Sequence, residues 1–587
     1  MRGRLFIGLS LCATLASSLW AADPPLIFVQ GGAWNQLRAD YYSQDQGSRL
    51  IPLAWLQALK QPNGQPFLAD SLARYGYLRN PANSNGLPVG FNLSGPAGAQ
   101  TVGMTCSACH TREITAQGNH YRIDGGPAIV DFQSFLADLD KAVGQVLATD
   151  ASFQSFTAAV LGPSSPDAED VASLRQQLDL WYQRYHTLIT RALPAAPWGV
   201  ARIDAVGMIF NRLTGLDLGP PPSFLIPENI KPADAPVRYP FLWNAPVQDQ
   251  TQWPGFADNG NDILALGRNL GEVFGVFGVF QPKNDIFFIN FLNNNSANFD
   301  GLDKLEHLVR QIPSPNWPWP VDQTLAAQGS AIFQRPKEQG GCAECHGITP
   351  GKVRLLDVQT WATPILNVGT DTREYDVLQW RAKTGVLQGA IIPGVGGPLQ
   401  ETDYAINILK ISVVGSIAEH LASGAGGLAL APQIATAKGA PAQAAKGLPP
   451  NLRELRGVFN FPLPSTNGAA TQGLQTNAAP SAPPSGLYES RVLQGIWAAA
   501  PYLHNGSVPT LAELLKPAAQ RASEFKVGPA YDTANVGLAA DQTQFNYTYK
   551  TTDCNDRNSG NSRCGHEYGT QLSDPEKKAL LEYLKTL

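Results

Sequence analysis

The chain of 587 residues is poor in charge, and that absence excludes several kinds of protein at once. Asp, Glu, Lys and Arg make up only 16% of it, against about 25% in ordinary globular chains. A coiled coil, a highly charged disordered chain and a helical repeat array all need more. The formal net charge of −5 supplies no field to hold nucleic acid or an anionic membrane surface. Methionine is also scarce. Of three, Met1 is the start and Met104 and Met208 lie in the N-terminal half, so the C-terminal half has no methionine thioether to offer. After residue 22 no run is long and apolar enough to read as a membrane span.

Glycine and proline are plentiful. There are 56 and 46 of them, roughly one residue in six against about 12% in average usage. The first 22 residues form an export signal, with Arg2 and Arg4, an apolar run from Leu5 to Leu19 and a small-residue site at Ala21-Ala22. A periplasmic or secreted destination follows.

Seven cysteines carry the main message. Cys12 falls in the signal. Four others form two copies of one pattern, Cys106-Ser-Ala-Cys109-His110 and Cys342-Ala-Glu-Cys345-His346. Cys-x-x-Cys-His is the c-type haem attachment signal. Thiols at i and i+3 reach two vinyl groups of one porphyrin, and the adjacent imidazole supplies the proximal iron ligand. A zinc site needs four closed ligands, which neither copy has nearby. A redox dithiol leaves the repeated His unexplained. Two covalently bound haem c groups are therefore expected, with His110 and His346 on iron. Cys554 and Cys564 remain; in an oxidising compartment they read as a disulfide, with free structural thiols as the other possibility.

The motifs lie 236 residues apart, more than minimal cytochromes need. The expected division is a signal at 1–22, a first haem domain at 23–312 and a second, cytochrome c-like haem domain at 313–587. The second would hold a Gly/Ala/Pro-rich insertion at about 422–486. Helical spacing marks 51–60, 131–147, 171–193, 303–311 and 325–333. Ser573-Asp-Pro-Glu576 resembles a capping box opening a last helix with Leu580, Leu581, Leu584 and Leu587 on one face. The Pro-rich stretch 219–254 reads as irregular. The expected fold class is mainly α and loop-rich, with two cytochrome c-like haem domains carrying large insertions.

Six histidines lie outside the signatures. His120, His186, His307 and His420 read as ordinary surface or core residues. His504, in Pro-Tyr-Leu-His504-Asn-Gly, and His566, between Gly565 and Glu567 just after the Cys554/Cys564 loop, stand out as candidates near a haem.

The segment Gly495-Ile-Trp-Ala-Ala-Ala-Pro-Tyr-Leu-His-Asn-Gly-Ser-Val-Pro-Thr-Leu511, together with two haem signatures, resembles the dihaem cytochrome c peroxidase superfamily. Val102-Gly-Met-Thr-Cys-Ser-Ala-Cys-His-Thr, Arg202-Ile-Asp-Ala-Val-Gly, Thr251-Gln-Trp-Pro-Gly-Phe and Gly565-His-Glu-Tyr-Gly-Thr narrow the likeness. They resemble the dihaem dioxygenase branch that holds rubber oxygenases and bacterial oleate 10S-dioxygenases. The resemblance implies a first haem held by His110 with an open side for dioxygen, and a six-coordinate second haem held by His346 and His566, His504 lining its surroundings. It also implies an aromatic distal pocket, for which Phe210 and Trp198 are the candidates. The apolar stretches 205–210 and 273–280 read equally as pocket wall or core. The expected activity is addition of dioxygen to a long unsaturated chain, an unsaturated fatty acid first and polyisoprene second, with a peroxide-reducing peroxidase as a further alternative. The expected partners are dioxygen, the apolar substrate and a periplasmic electron donor, with Trp317 or Trp319 as intermediaries.

Overall fold

A computed structural model describes residues 25–587 except 81, 84, 163–166, 286–287, 425–449 and 460–485. The signal and most of the Gly/Ala/Pro-rich stretch lie outside the described residues. Among those described, helix accounts for 39% and strand for 17%, the strands forming ten small sheets, eight of them two-stranded. The expectation of a mainly α protein is thus corrected: the chain is loop-rich but mixed. The reason is strand length. Most strands have two to four residues, too few for alternation to show in the sequence, while closely spaced Gly and Pro supply the turns between them.

The first motif sits on a core of short sheets and long helices. Helix Phe132–Leu147 has Phe132, Phe135, Leu136, Leu139, Val143 and Val146 buried on one face, the i, i+3, i+4, i+7 pattern of an amphipathic helix. Asp131 caps it by accepting from Ser134 N at 3.0 Å. Helix Ala168–Ala192 packs beside it through Leu178, Tyr185 and Leu188. Each such side chain, fully removed from water, contributes about 1.5–3 kcal/mol. The antiparallel strands Phe91–Ser94 and Thr101–Met104 run directly into Cys106.

The second motif hangs on two crossing helices, Gln323–Phe333 and Asp574–Leu584. At the crossing a Cβ added to Gly329 would lie 2.0 Å from the Ala579 carbonyl oxygen, so the two backbones touch there and only glycine fits. Phe333 meets Tyr583 at 5.3 Å between ring centres, and Arg335 pairs with Glu576 at 2.7 Å. Ser573 and Glu576 form the capping box. This core also takes in Trp34 and Tyr41, far away in sequence.

A third core joins helices Ala205–Leu216, Asp262–Gly275 and Ala405–Gly424. The last is the one helix among the described residues long and apolar enough to cross a membrane, yet 72% of that window is buried inside the protein.

Candidate haem centres

After helix Gln323–Phe333 the chain reverses, and Cys342 N bonds Phe333 O at 2.9 Å. One helical turn, Ala343–His346, closes with His346 N on Cys342 O at 2.9 Å. Its Nδ1–H donates to the Arg491 carbonyl at 2.7 Å. A carbonyl only accepts, so the proton sits on Nδ1 and the Nε2 lone pair stays free for a metal. None of Cys106, Cys109, Cys342 and Cys345 is in a disulfide.

Across the cavity from His346 stands His566, its ring centre 6.1 Å away. Two imidazoles sharing one metal through bonds of about 2 Å place their ring centres about 6 Å apart. His566 adopts a left-handed backbone, φ 53°. It is held by its N–H on Val368 O at 2.8 Å and by Arg521, which donates to the carbonyls of Gly565 and His566 at 2.7 and 3.1 Å. Gly565 (φ 77°) presses on Gly369 so closely that a Cβ would lie 2.3 Å from that carbonyl carbon. A disulfide joins Cys554 to Cys564 immediately upstream. Burial, with His346 and Arg521 adding to it, pushes the His566 imidazole down to about 3; His346 also moves down through burial. Both rings are then neutral, the form that binds metal. The Nδ1 of His566 is buried without a hydrogen-bond partner.

The cavity holds about 1290 Å³ of empty space, part of it open to solvent, lined by Cys342, Cys345, His346, His504 and His566 among apolar residues such as Leu493, Ile496, Leu580 and Leu584. Haem fits this donor set: two thiols and an imidazole on one wall, a second imidazole opposite, and apolar side chains between. His504 shares the cavity but stacks on Tyr488 at 3.8 Å. Burial, then Arg238, pushes it down to about 3.

The first motif forms the turn Cys106–Cys109 on the backbone of Gly90, whose φ of +81° and 2.0 Å Cβ-to-Ala108 N approach admit only glycine. His110 Nδ1–H donates to Pro240 O at 2.8 Å, and Tyr41 donates to His110 O at 2.8 Å. The Tyr239 ring stands 6.1 Å from the imidazole. Burial pushes His110 down to about 4. Both thiols are pushed up to about 12 by burial and then by the Glu272 carboxylate. Glu272 accepts from Gln252 at 2.8 Å and is itself raised by burial.

Trp198 is buried in the same core as Ala108 and donates to Ala233 O at 2.6 Å. Phe210 is buried in the third core, its ring centre 6.3 Å from Trp380. The structure therefore gathers Cys342, Cys345, His346, His504 and His566, whereas Phe210 and Trp198 lie in separate cores. Trp317 and Trp319 meet at 4.7 Å and join Trp497 and Tyr531 in one aromatic cluster. His120 bonds Glu113, His186 bonds Asp140, His307 bonds Asp303 O and His420 stacks on Phe299. Among the described residues no three His, Cys, Asp or Glu side chains cluster as a metal site.

Sequence reading missed Tyr239, Pro240, Glu272 and Arg491. Two of these act through backbone carbonyls, which leave no side-chain signature. Glu272 lies on helix Asp262–Gly275, one residue before the apolar stretch 273–280, where a lone carboxylate gives no signal.

Residues 486–526 match the family described as RoxA-like, cytochrome c-like, which implies c-type haem. The uncharacterized protein y4iJ of Sinorhizobium fredii (strain NBRC 101917 / NGR234) is 30% identical over 616 aligned residues, covering 94% of this chain and 92% of that protein. The uncharacterized protein y4iM of the same strain is 36% identical over 367 residues, covering 59% of this chain and 63% of that protein.

Proposed function

Given that the chain belongs to the family of protein y4iJ and carries a RoxA-like cytochrome c-like segment, we propose that it is an exported dihaem c-type dioxygenase acting on a long unsaturated hydrocarbon chain. An unsaturated fatty acid is the first candidate substrate and polyisoprene the second. Bound haem supplies an iron that exchanges single electrons where both axial positions are filled and takes up dioxygen or peroxide where one is open.

The observation that carries this reading is the pairing of His346 with His566 at 6.1 Å. Cys342 and Cys345 would attach the second group, and His346 and His566 would both hold its iron, suiting it to electron exchange. Substrate chemistry then belongs to the centre of Cys106, Cys109 and His110. There the Pro240 carbonyl holds the buried His110 ring. Phe210 and Trp198 are the proposed aromatic walls of that centre's surroundings. The test is aerobic incubation of holoprotein with oleate and, separately, with polyisoprene latex under labelled dioxygen, read by mass spectrometry. A product holding two labelled oxygens, formed without stoichiometric electron donor, is expected.

Glu272 favours a second reading, a dihaem peroxidase. Cleaving peroxide needs a general base, and this carboxylate acts electrostatically on both Cys106 and Cys109. Turnover that requires hydrogen peroxide and a reduced donor, with no labelled dioxygen in any alkene, decides for it.

A further inference from the structure

The two histidines proposed as proximal ligands are joined by a continuous bonded path. His110 Nδ1–H donates to Pro240 O at 2.8 Å. The next carbonyl along the chain, that of Phe241, accepts from Arg491 Nη2 at 2.9 Å. The carbonyl of the same Arg491 accepts from His346 Nδ1–H at 2.7 Å. Three hydrogen bonds and two covalent stretches thus lead from one imidazole to the other. The guanidinium also lies over the Phe241 ring, 4.2 Å from its centre, and that ring stacks on Trp243 at 4.7 Å and 12°. Trp243 in turn donates to Gln494 O at 2.7 Å, closing a second tie between the same two segments. Arg491 is buried, with its Nε 3.7 Å from a buried Glu489 carboxylate.

The segment 238–241 is shared between the sites. Tyr239 and the Pro240 carbonyl face His110, while Arg238 and Phe241 line the cavity of His346 and His566. An imidazole bonded through Nδ1 has its orientation and the basicity of its other nitrogen set by the acceptor. Here the two acceptors meet at one residue: the Arg491 carbonyl holds His346, and the Arg491 guanidinium holds the carbonyl that follows Pro240. The Arg491 guanidinium thus braces the Phe241 carbonyl and ring, next to Pro240, while the backbone of the same residue holds His346.

We propose that Arg491 is a positioning residue for both centres, coupling the two haem-binding histidines through Phe241 and Pro240. This rests on the dihaem reading above. A ferric haem carries one more positive charge than a ferrous one, so a buried cation shared by both centres disfavours the ferric state of each. Removing it lowers both reduction potentials.

The experiment starts with a pyridine haemochrome count on the full-length holoprotein. One haem per chain means that the dihaem reading itself has failed. With two, spectroelectrochemical titration and electron paramagnetic resonance are compared for wild type, Arg491→Gln, Arg491→Lys, Phe241→Ala and Lys337→Gln. Arg491→Gln is expected to lower the potentials of both haems and shift the resonance signals of both, and Arg491→Lys to return both potentials toward wild type. Phe241→Ala removes the ring beneath the guanidinium while keeping its bond to the residue-241 carbonyl, and is expected to move both centres less; it also carries the test should Arg491→Gln fail to accumulate. Lys337 lines the second cavity and acts on Cys345, and Lys337→Gln is expected to move only the second haem. The proposal is overturned if the first haem is unmoved in both the Arg491 and the Phe241 variants, or if Lys337→Gln moves the first haem as much as Arg491→Gln does.

Discussion

The two Cys-x-x-Cys-His sites share a sequence pattern and differ in almost everything around it. At the second, the imidazole of His346 faces another imidazole across an apolar cavity. At the first, His110 has Tyr239 at its edge, and a buried carboxyl, Glu272, acts on both thiols. At the second site burial raises the Cys345 thiol, while Lys337 pulls it down. The lesson is that the motif attaches the group, while elements remote in sequence decide what it can do. His566 lies 220 residues beyond His346, and Pro240 lies 130 beyond His110.

The comparison breaks most visibly if the cysteines are removed in pairs. Cys106→Ser with Cys109→Ser is expected to lose one covalent haem and all product formation. Cys342→Ser with Cys345→Ser is expected to lose the other haem while the first stays attached. Haemochrome counts and product assays on both variants check this, and a single variant that strips both haems contradicts two independent centres.

Glu272→Gln sharpens what the first site does. In a dioxygenase the rate is expected to stay within a few-fold of wild type. In a peroxidase, loss of a general base costs about 10²–10⁴-fold. Steady-state rates with each substrate separate the two.

His566→Ala is expected to turn the second haem from low-spin to high-spin, whereas His504→Ala leaves it low-spin because that ring is committed to Tyr488. Optical and resonance spectra read the outcome, and the reverse pattern exchanges the roles of the two histidines.

The smallest effect concerns scaffold alone. Gly329→Ala forces a methyl against the Ala579 carbonyl and is expected to cost about 1–3 kcal/mol. Urea unfolding of the holoprotein should show the loss at the second centre, with the first haem's spectrum unchanged until the main transition.

How far the sequence spoke depended on the kind of physics involved. Covalent chemistry is explicit, so Cys106, Cys109, Cys342 and Cys345 could be picked out directly. Amphipathic helices with one buried face, such as Phe132–Leu147, declare themselves by period. Helices Ala205–Leu216 and Ala405–Gly424 do not, because they are buried on nearly all sides and carry no polar stripe. Hairpins of two or three residues are silent for lack of length. Arg491 and Pro240 were illegible for a third reason: their carbonyls hold the histidines, and every residue has a carbonyl.

The crossing at Gly329 and Ala579 also sets an order in time. The core beneath the first motif draws on residues 50–277 alone, so it can condense while later parts of the chain are still being delivered. The wall of the second cavity includes Leu580 and Leu584, and joining them to Gly329 closes a loop of about 250 residues, among the slowest kinds of contact to form. The second centre is therefore expected to mature last, and a cut or fusion at the final helix to strand it half-built beside a finished neighbour.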